Sequence, residues 1–369
     1  MKILADTYLY KLEEIIPENV QLSRFDPEAG FPNDAPKFDA LLIRTVTKID
    51  RRTLPNPGNL KFIGSATAGF DHVDLDYLDE AGIAFANSAG CNSRAVAEFV
   101  ITGLYRWGDL RNINPEDLNI GVVGCGNTGG QLINLLNRLG IKNVKYDPPK
   151  QKRVTDFESA GLEELLRCDV LSFHTPLTVK GEHATRHMCN SSWLENHFQL
   201  IINTARGGVV DEKSLLKAMA IGNVDDAILD VWEGEPVFGD DMAKKTLIAT
   251  PHIAGYSREA KWRASEMVVS QLCDFFDLDY HPKEITEQFS VDKLSASAEM
   301  SFSDFMWKNN RVEYYDKKLR KLIGLPEQKK AEKFAALRSQ TKTRFEYRSV
   351  LKTAEESGSP VPEKAGFFL

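Results

Sequence analysis

Short apolar runs alternate with amphipathic stretches from the first residues of the chain. "KILAD", "VQLSRF", "FDALLIRT", "LKFIGSA" and "IAFANS" read as strands, with the helical patterns "YLYKLEEII" and "VDLDYLDEAG" among them. Such alternation predicts βαβ units and a parallel sheet covered by helices. The stretch "NSRAVAEFVITGLYRWGDL" (92–110) opens on an Asn-Ser capping signal and keeps helical periodicity, so a long helix is expected to carry the chain from one domain into another.

A second series begins at "LNIGVVGCGNTGGQLINLLNRLGIKNVKYDPP" (118–149), which reads as strand, glycine turn, helix and strand. "CDVLSFHTPL", "FQLIINTARG", "VDDAILDVWEGEP" and "TLIATPHIAG" predict further strands, each ending in polar or small residues. Open parallel sheets bind ligands beside those carboxyl ends. "SREAKWRASEMVVSQLCDFFDL" predicts a long helix that returns the chain to the first domain. From about residue 290, "EYYDKKLRKLIG" and "PEQKKAEKFAALRSQ" predict helices, and "EESGSPVPEKAGFFL" is expected to be loose or draped on a neighbour.

A length of 369 residues exceeds one ordinary core, so two or three domains are expected. The apolar runs are too short and too broken by charge for a membrane span. The N-terminal "MKILADTYLY" lacks the apolar stretch of a signal peptide, so a cytoplasmic location is expected. Five cysteines without a CxxC pair fit reduced, mostly buried thiols. The net charge of −7 disfavours nucleic acid as a partner. Residues 290–369 nevertheless hold 16 Lys and Arg against 11 Asp and Glu, a net of +5 on a body of −12. A polyanion binder is one reading of that tail. Its interleaved acids and apolar positions favour a tail packed on the body or on a second subunit.

"GCGNTGG" sets Gly124, Gly126 and Gly129 in the G-x-G-x-x-G spacing between a strand and an amphipathic helix. Gly124 would allow the tight turn, Gly126 the close approach of a pyrophosphate and Gly129 the packing of helix on strand. Asn127 and Thr128 open the helix whose N-terminus would face the phosphates. Asp147 ends the next strand, 21 residues beyond Gly126, where an acid bonds ribose hydroxyls and repels a 2′-phosphate; NAD is therefore expected rather than NADP. Arg206, Glu235 and His252 stand at the ends of three other strands. A guanidinium there can grip a carboxylate, an imidazole can take the proton of a hydroxyl, and a glutamate can hold the imidazole. His183 and His187 have the spacing of metal ligands on a helix face, but no acid or thiol joins them at suggestive spacing. They read as a solvated pair, and no metal is expected.

The motifs "GVVGCGNTGG", "HTPLT", "INTARGGVVDEKSL", "DVWEGEP" and "TPHIAGYS", in this order, resemble the D-isomer-specific 2-hydroxyacid dehydrogenase family. The resemblance implies a substrate-orienting role for Arg206, an acid partner in Glu235 and a proton carrier in His252. It implies cofactor contacts at Asp147, Thr175, Thr204, Ala205, Asp230 and Gly255. "LLIRTVTKID", "GSATAGFDHVD", "GCNSRAVAEFV" and the tail are similar to a pyridoxine-pathway branch that oxidises a phosphorylated four-carbon hydroxy acid and carries an extra C-terminal dimerisation domain. Thr45, Thr67 and Tyr256 match that branch's substrate-contacting positions; Thr45 stands where a serine is common. Arg44 is the expected phosphate ligand, with Arg344 or Arg348 of a partner subunit as the alternative.

The expected architecture is α/β. A Rossmann NAD-binding domain (93–255) is inserted in a flavodoxin-like substrate domain (1–92 and 256–289), and a small C-terminal domain (290–369) forms a homodimer. Two rivals stay open: a phosphoglycerate, glycerate or hydroxypyruvate dehydrogenase of the same family, and a non-catalytic NAD-sensing dimer.

Overall fold

The computed structural model describes residues 1–283, 285, 290, 293–297, 299–339 and 344–369. The chain divides into two compact units, Met1–Asn92 with Ser257–Glu287, and Ser93–Tyr256 with Gln288–Leu369.

In the first unit five parallel strands, β1 (Lys2–Asp6), β2 (Gln21–Phe25), β3 (Ala40–Ile43), β4 (Phe62–Ser65) and β5 (Ala84–Asn87), lie in the order β2-β1-β3-β4-β5. This is the flavodoxin-like order, read from the way β1 sits between β2 and β3. β3 and β4 are buried along their whole length, which explains their unbroken apolar runs. Helices α1 (Leu12–Ile15), α2 (Leu75–Glu80) and the long α9 (Arg258–Phe275) belong to this unit. α9 starts on Ser257, whose hydroxyl accepts from the Ala260 amide, and its Val268, Val269 and Leu272 join Ile3, Leu42 and Phe62 in one core.

The second unit holds six parallel strands in the order β11-β10-β9-β8-β6-β7. They are β6 (Asn119–Val123), β7 (Lys142–Tyr146), β8 (Val170–Phe173), β9 (Phe198–Asn203), β10 (Val224–Leu229) and β11 (Ile248–Ala249). The helices are α3 (Ser93–Arg111), α4 (Asn127–Arg138), α5 (Pro148–Gln151), α6 (Leu162–Leu165), α7 (Glu212–Ile221) and α8 (Asp240–Lys245), then α10 (Phe302–Asn310), α11 (Val312–Arg320), α12 (Glu327–Ser339) and α13 (Tyr347–Ser357) in the tail. Strand order reverses between β6 and β8. In a doubly wound sheet of this Rossmann type the nucleotide crevice opens there, at the carboxyl ends.

The expectation of a separate domain at 290–369 meets a different arrangement. Phe302, Phe305, Met306, Val312, Tyr347 and Val350 share a core with α3 and α4, while Leu319, Leu322 and Phe334 join the core on the other face of the sheet. The tail helices thus complete the cores of the nucleotide unit. The expected boundary at 289 lies outside the described residues. The final stretch, expected to be loose or draped on a neighbour, packs on its own chain: Ala365 and Phe368 are 0% and 1% exposed, and the Phe368 ring lies 4.5 Å from that of Tyr347 at a tilt. The tail's cations find acids in the same unit, as in Lys330–Asp240 at 2.5 Å and Arg344–Glu98 at 3.0 Å. Arg344, offered above to a partner's phosphate, is therefore buried and bonded within its own chain.

Candidate active site

The carboxyl edge of the second sheet gathers most of the predicted positions. β6 is followed by Gly124, whose φ of +86° only glycine adopts without strain. A Cβ on Gly129 would lie 1.9 Å from the Gly124 carbonyl oxygen, so α4 can approach the strand only through a glycine. Gly126 caps α4 without a side-chain bond, and a Cβ there would meet no atom within 4 Å. Open space in front of free helix amides, with Asn127 and Thr128 in the first turn, is the shape a pyrophosphate requires. Asp147 stands beside this turn: Oδ2 accepts from the Cys125 amide (2.8 Å) and Oδ1 from the Lys150 amide (2.9 Å). The carboxylate thus braces the glycine turn and caps α5, and it keeps lone pairs for hydroxyl donors. Thr175 follows β8 so closely that a Cβ on Gly124 would lie 2.8 Å from its methyl carbon.

Arg206 sits in a turn clamped by one side chain. Asn203 at the end of β9 accepts from the Ala205 amide and donates to the Arg206 carbonyl, both at 3.0 Å, and this fixes Thr204 and Ala205 as well. A Cβ on Gly207 would fall 1.8 Å from the Trp232 carbonyl oxygen. Only glycine lets the Arg206 turn touch the loop that carries Glu235.

Glu235 and His252 meet directly, with Glu235 Oε1 2.5 Å from His252 Nδ1. The His252 side chain is 26% exposed and that of Glu235 23%, so this histidine is no core residue, and its Nδ1 is held. Burial pushes the Glu235 carboxyl up, but the bond to His252 and its charge outweigh that and hold it below the usual range. His252 has φ +57°, and its amide donates to the Asp230 carbonyl at 2.6 Å. The Asp230 carboxylate, 1% exposed, accepts from the Thr250 hydroxyl (2.5 Å) and the amides of Ile253 and Ala254 (both 2.8 Å). Asp230, expected as a cofactor contact, is seen as the bracket that shapes the loop from Thr250 to Gly255.

The other predicted residues divide by unit. Tyr256 lies in the second, its hydroxyl 3.3 Å from Arg338 Nη2. Arg44, Thr45 and Thr67 lie in the first, at the ends of β3 and β4. Arg44 Nε bonds the fully buried Asp6 at 2.9 Å, and its guanidinium lies 5.0 Å from the Tyr8 ring. Thr67 donates to the Gly69 carbonyl (2.9 Å) and shares a bond with Ser65 (2.7 Å), which in turn meets His72. Thr45 is exposed.

These features are matched by known proteins. Residues 96–254 match the family model "D-isomer specific 2-hydroxyacid dehydrogenase, NAD binding domain". A curated relative from Bacteroides thetaiotaomicron, named erythronate-4-phosphate dehydrogenase, is 36% identical over 282 residues, 75% of this chain and 81% of its own. Another of that name, from Hahella chejuensis, is 36% identical over 353 residues, 93% of this chain and 92% of its own. The chain belongs to the D-isomer specific 2-hydroxyacid dehydrogenase family. The NAD⁺-bound 3-phosphoglycerate dehydrogenase of Entamoeba histolytica shares its fold, with a TM-score of 0.62 and 25% identity over 75% of this chain and 95% of that one. This family member is an NAD-dependent dehydrogenase, and the open glycine cradle and the acid at Asp147 fit that cofactor.

Two histidines near the site have partners that the sequence did not reveal. His174 is half-buried, bonded to Ser172 (2.9 Å), and loss of solvent pushes its pKa down to about 3, so it stays neutral. The Ser-x-His alternation of "LSFHT" put both on one strand face and was the available signal. His187 does not ride a helix with His183. It adopts φ +53° and pairs with Glu233 at 2.8 Å, within 4.8 Å of Asp211. The next residue, Glu212, accepts from the Glu233 amide at 2.6 Å. Burial, and then the carboxylates of Glu233, Glu235 and Asp211, push the Glu212 carboxyl up to about 7. A carboxyl raised on folding costs stability as pH rises from its unfolded value through the folded one. Glu212→Gln, which keeps an acceptor for the amide, is expected to change stability little at pH 4.5. At pH 8.5 it should add roughly 1–3 kcal/mol. Urea titrations at the two pH values measure the difference.

Proposed function

We propose that this protein oxidises the 2-hydroxyl of 4-phospho-D-erythronate to 2-oxo-3-hydroxy-4-phosphobutanoate, a step of pyridoxine biosynthesis. The observation that carries this reading is the Glu235–His252 pair, set beside an NAD cradle in a chain whose curated relatives bear that enzyme's name. Arg206 grips the substrate carboxylate and aligns C2. Nε2 of His252 takes the hydroxyl proton, while Glu235 on Nδ1 fixes the ring and balances the imidazolium that forms. NAD, when bound, accepts the hydride, and the products are the 2-oxo acid, NADH and a proton. Gly124, Gly126, Asn127, Thr128, Gly129, Asp147, Thr175, Thr204, Ala205, Asp230 and Gly255 are assigned to holding the cofactor or shaping its cradle. Thr45, Thr67, Tyr256 and Arg44 are assigned to the substrate. Residues 290–369 are assigned to homodimerisation, with the exposed Tyr314, Phe367 and Leu369 as apolar contacts. Five free, buried cysteines fit a reducing cytoplasm.

NADH formation with 4-phospho-D-erythronate, 3-phospho-D-glycerate and D-glycerate tests the substrate. The four-carbon phosphate is expected to give a kcat/KM at least about 10-fold above the others. Equal or better turnover of a three-carbon acid assigns the protein to another branch of the family. No turnover of any 2-hydroxy acid would favour the NAD-sensing dimer.

A further inference from the structure

We propose that Arg338, on tail helix α12 of the same chain, binds the phosphate of the substrate. The inference rests on the reading above, in which the substrate is a phosphorylated 2-hydroxy acid. Lys330, Phe334 and Arg338 follow one another at four-residue spacing and so lie along one face of α12. The first two anchor that face. Lys330 Nζ bonds Asp240 at 2.5 Å and the Phe238 carbonyl at 3.2 Å, and Phe334, fully buried, packs on Phe238 at 6.1 Å. The third residue of the row therefore points the same way, toward Tyr256. Nη2 of Arg338 donates to the Tyr256 hydroxyl at 3.3 Å, and the charges of Glu235 and Asp230 lie within its field.

Two features make this guanidinium more than a counter-charge. Its Nε is shielded from solvent and has no hydrogen-bond partner among the described residues. The neighbouring carboxylates are already served: Glu235 by His252 and the Trp232 amide, Asp230 by three donors. A sequestered Nε–H without an acceptor is costly, and the fork of an arginine suits a tetrahedral anion. Arg206 is assigned to the carboxylate beside the reacting carbon, and Arg44, the phosphate ligand expected from the sequence, has its Nε taken by Asp6, so the phosphate calls for a further cation. Arg338 also lies outside the 96–254 stretch common to the family's NAD-binding domain, as a feature particular to one substrate would.

The test compares phosphorylated and unphosphorylated substrates on the full-length enzyme. Arg338→Gln is expected to lower kcat/KM for 4-phospho-D-erythronate by about 10- to 100-fold, mainly through KM, as loss of one charge-assisted contact does. Turnover of D-erythronate should change less than about 2-fold, and Arg338→Lys should recover part of the loss. Inorganic phosphate should inhibit the wild type competitively and the Gln variant much less. Equal losses on both substrates with a displaced pH profile would show that Arg338 acts through Glu235 and His252 instead, and would overturn the proposal. No change on either substrate would overturn it as well. If the wild type prefers 3-phospho-D-glycerate, the substrate reading fails, and the comparison runs on that acid against D-glycerate with the same criteria. A wild type that oxidises no phosphorylated acid removes both.

Discussion

His252→Asn is expected to lower kcat by about 10²- to 10⁴-fold, the range general acid–base catalysis supplies, while NADH affinity stays within about 2-fold. Asparagine is the informative replacement because position 252 has φ +57°, a left-handed backbone that asparagine tolerates better than alanine. The backbone bond from residue 252 to the Asp230 carbonyl survives the change, so the loop keeps its shape and the loss belongs to the ring. Cofactor binding, read by the change in NADH fluorescence, separates chemistry from folding. Glu235→Gln should cost less, because it removes the charge opposite the imidazolium and leaves an acceptor at Nδ1. Since the Glu235 carboxyl lies below its usual range, it is ionised throughout the neutral region. Its contribution is present above the unfolded carboxyl pKa and is lost only as pH falls through the lowered folded value. An acid limb of activity near pH 7 is then not the titration of Glu235. Unchanged turnover in His252→Asn would remove the imidazole from the chemistry.

How much of this was legible in the chain follows from the distance over which each interaction acts. The glycine turn and Asp147 sit within one βαβ unit, where spacing alone sets the geometry, and both fell where the pattern put them. Glu235 and His252 are 17 residues apart on neighbouring strand ends, so a parallel sheet was enough to bring them together. The tail was a different matter. Its helices read as amphipathic, but nothing local says that their apolar faces complete the nucleotide unit's own cores. Arg338 looked like one more charge in "KFAALRSQ" because its partner Tyr256 is 82 residues away. Asp230 matched a family position, yet its three hydrogen bonds to the 250–254 loop were invisible until that loop had a shape. A side chain that serves a distant backbone leaves no periodic trace.

The same reasoning predicts the largest stability effect, at an acid in the long helix α3. Glu98 stands in the apolar run "AVAEFV" of α3 and is fully buried. It accepts from Arg94 Nε at 2.7 Å, from Arg344 Nη1 at 3.0 Å and from the Tyr347 amide, which reaches both its oxygens at 3.1 and 3.2 Å. Arg344 is itself only 7% exposed, and it also donates to the Ala95 and Phe345 carbonyls. A single carboxylate therefore ties the start of α13 to the middle of α3 across some 250 residues of chain. Glu98→Ala takes the Glu98 counter-charge from the buried Arg344 guanidinium and leaves the Tyr347 amide without its acceptor. The expected loss is about 3–5 kcal/mol, the cost of breaking a buried pair from one side. Arg344→Met should cost less in the same urea titration, since it removes the buried cation and leaves Glu98 with Arg94. Replacing both together should be milder than the sum, because neither charge is then stranded. Hydrogen exchange of the α13 amides should rise most in Glu98→Ala, and an unchanged unfolding midpoint there would mean that the Phe368, Tyr347 and Phe305 packing alone holds the tail in place.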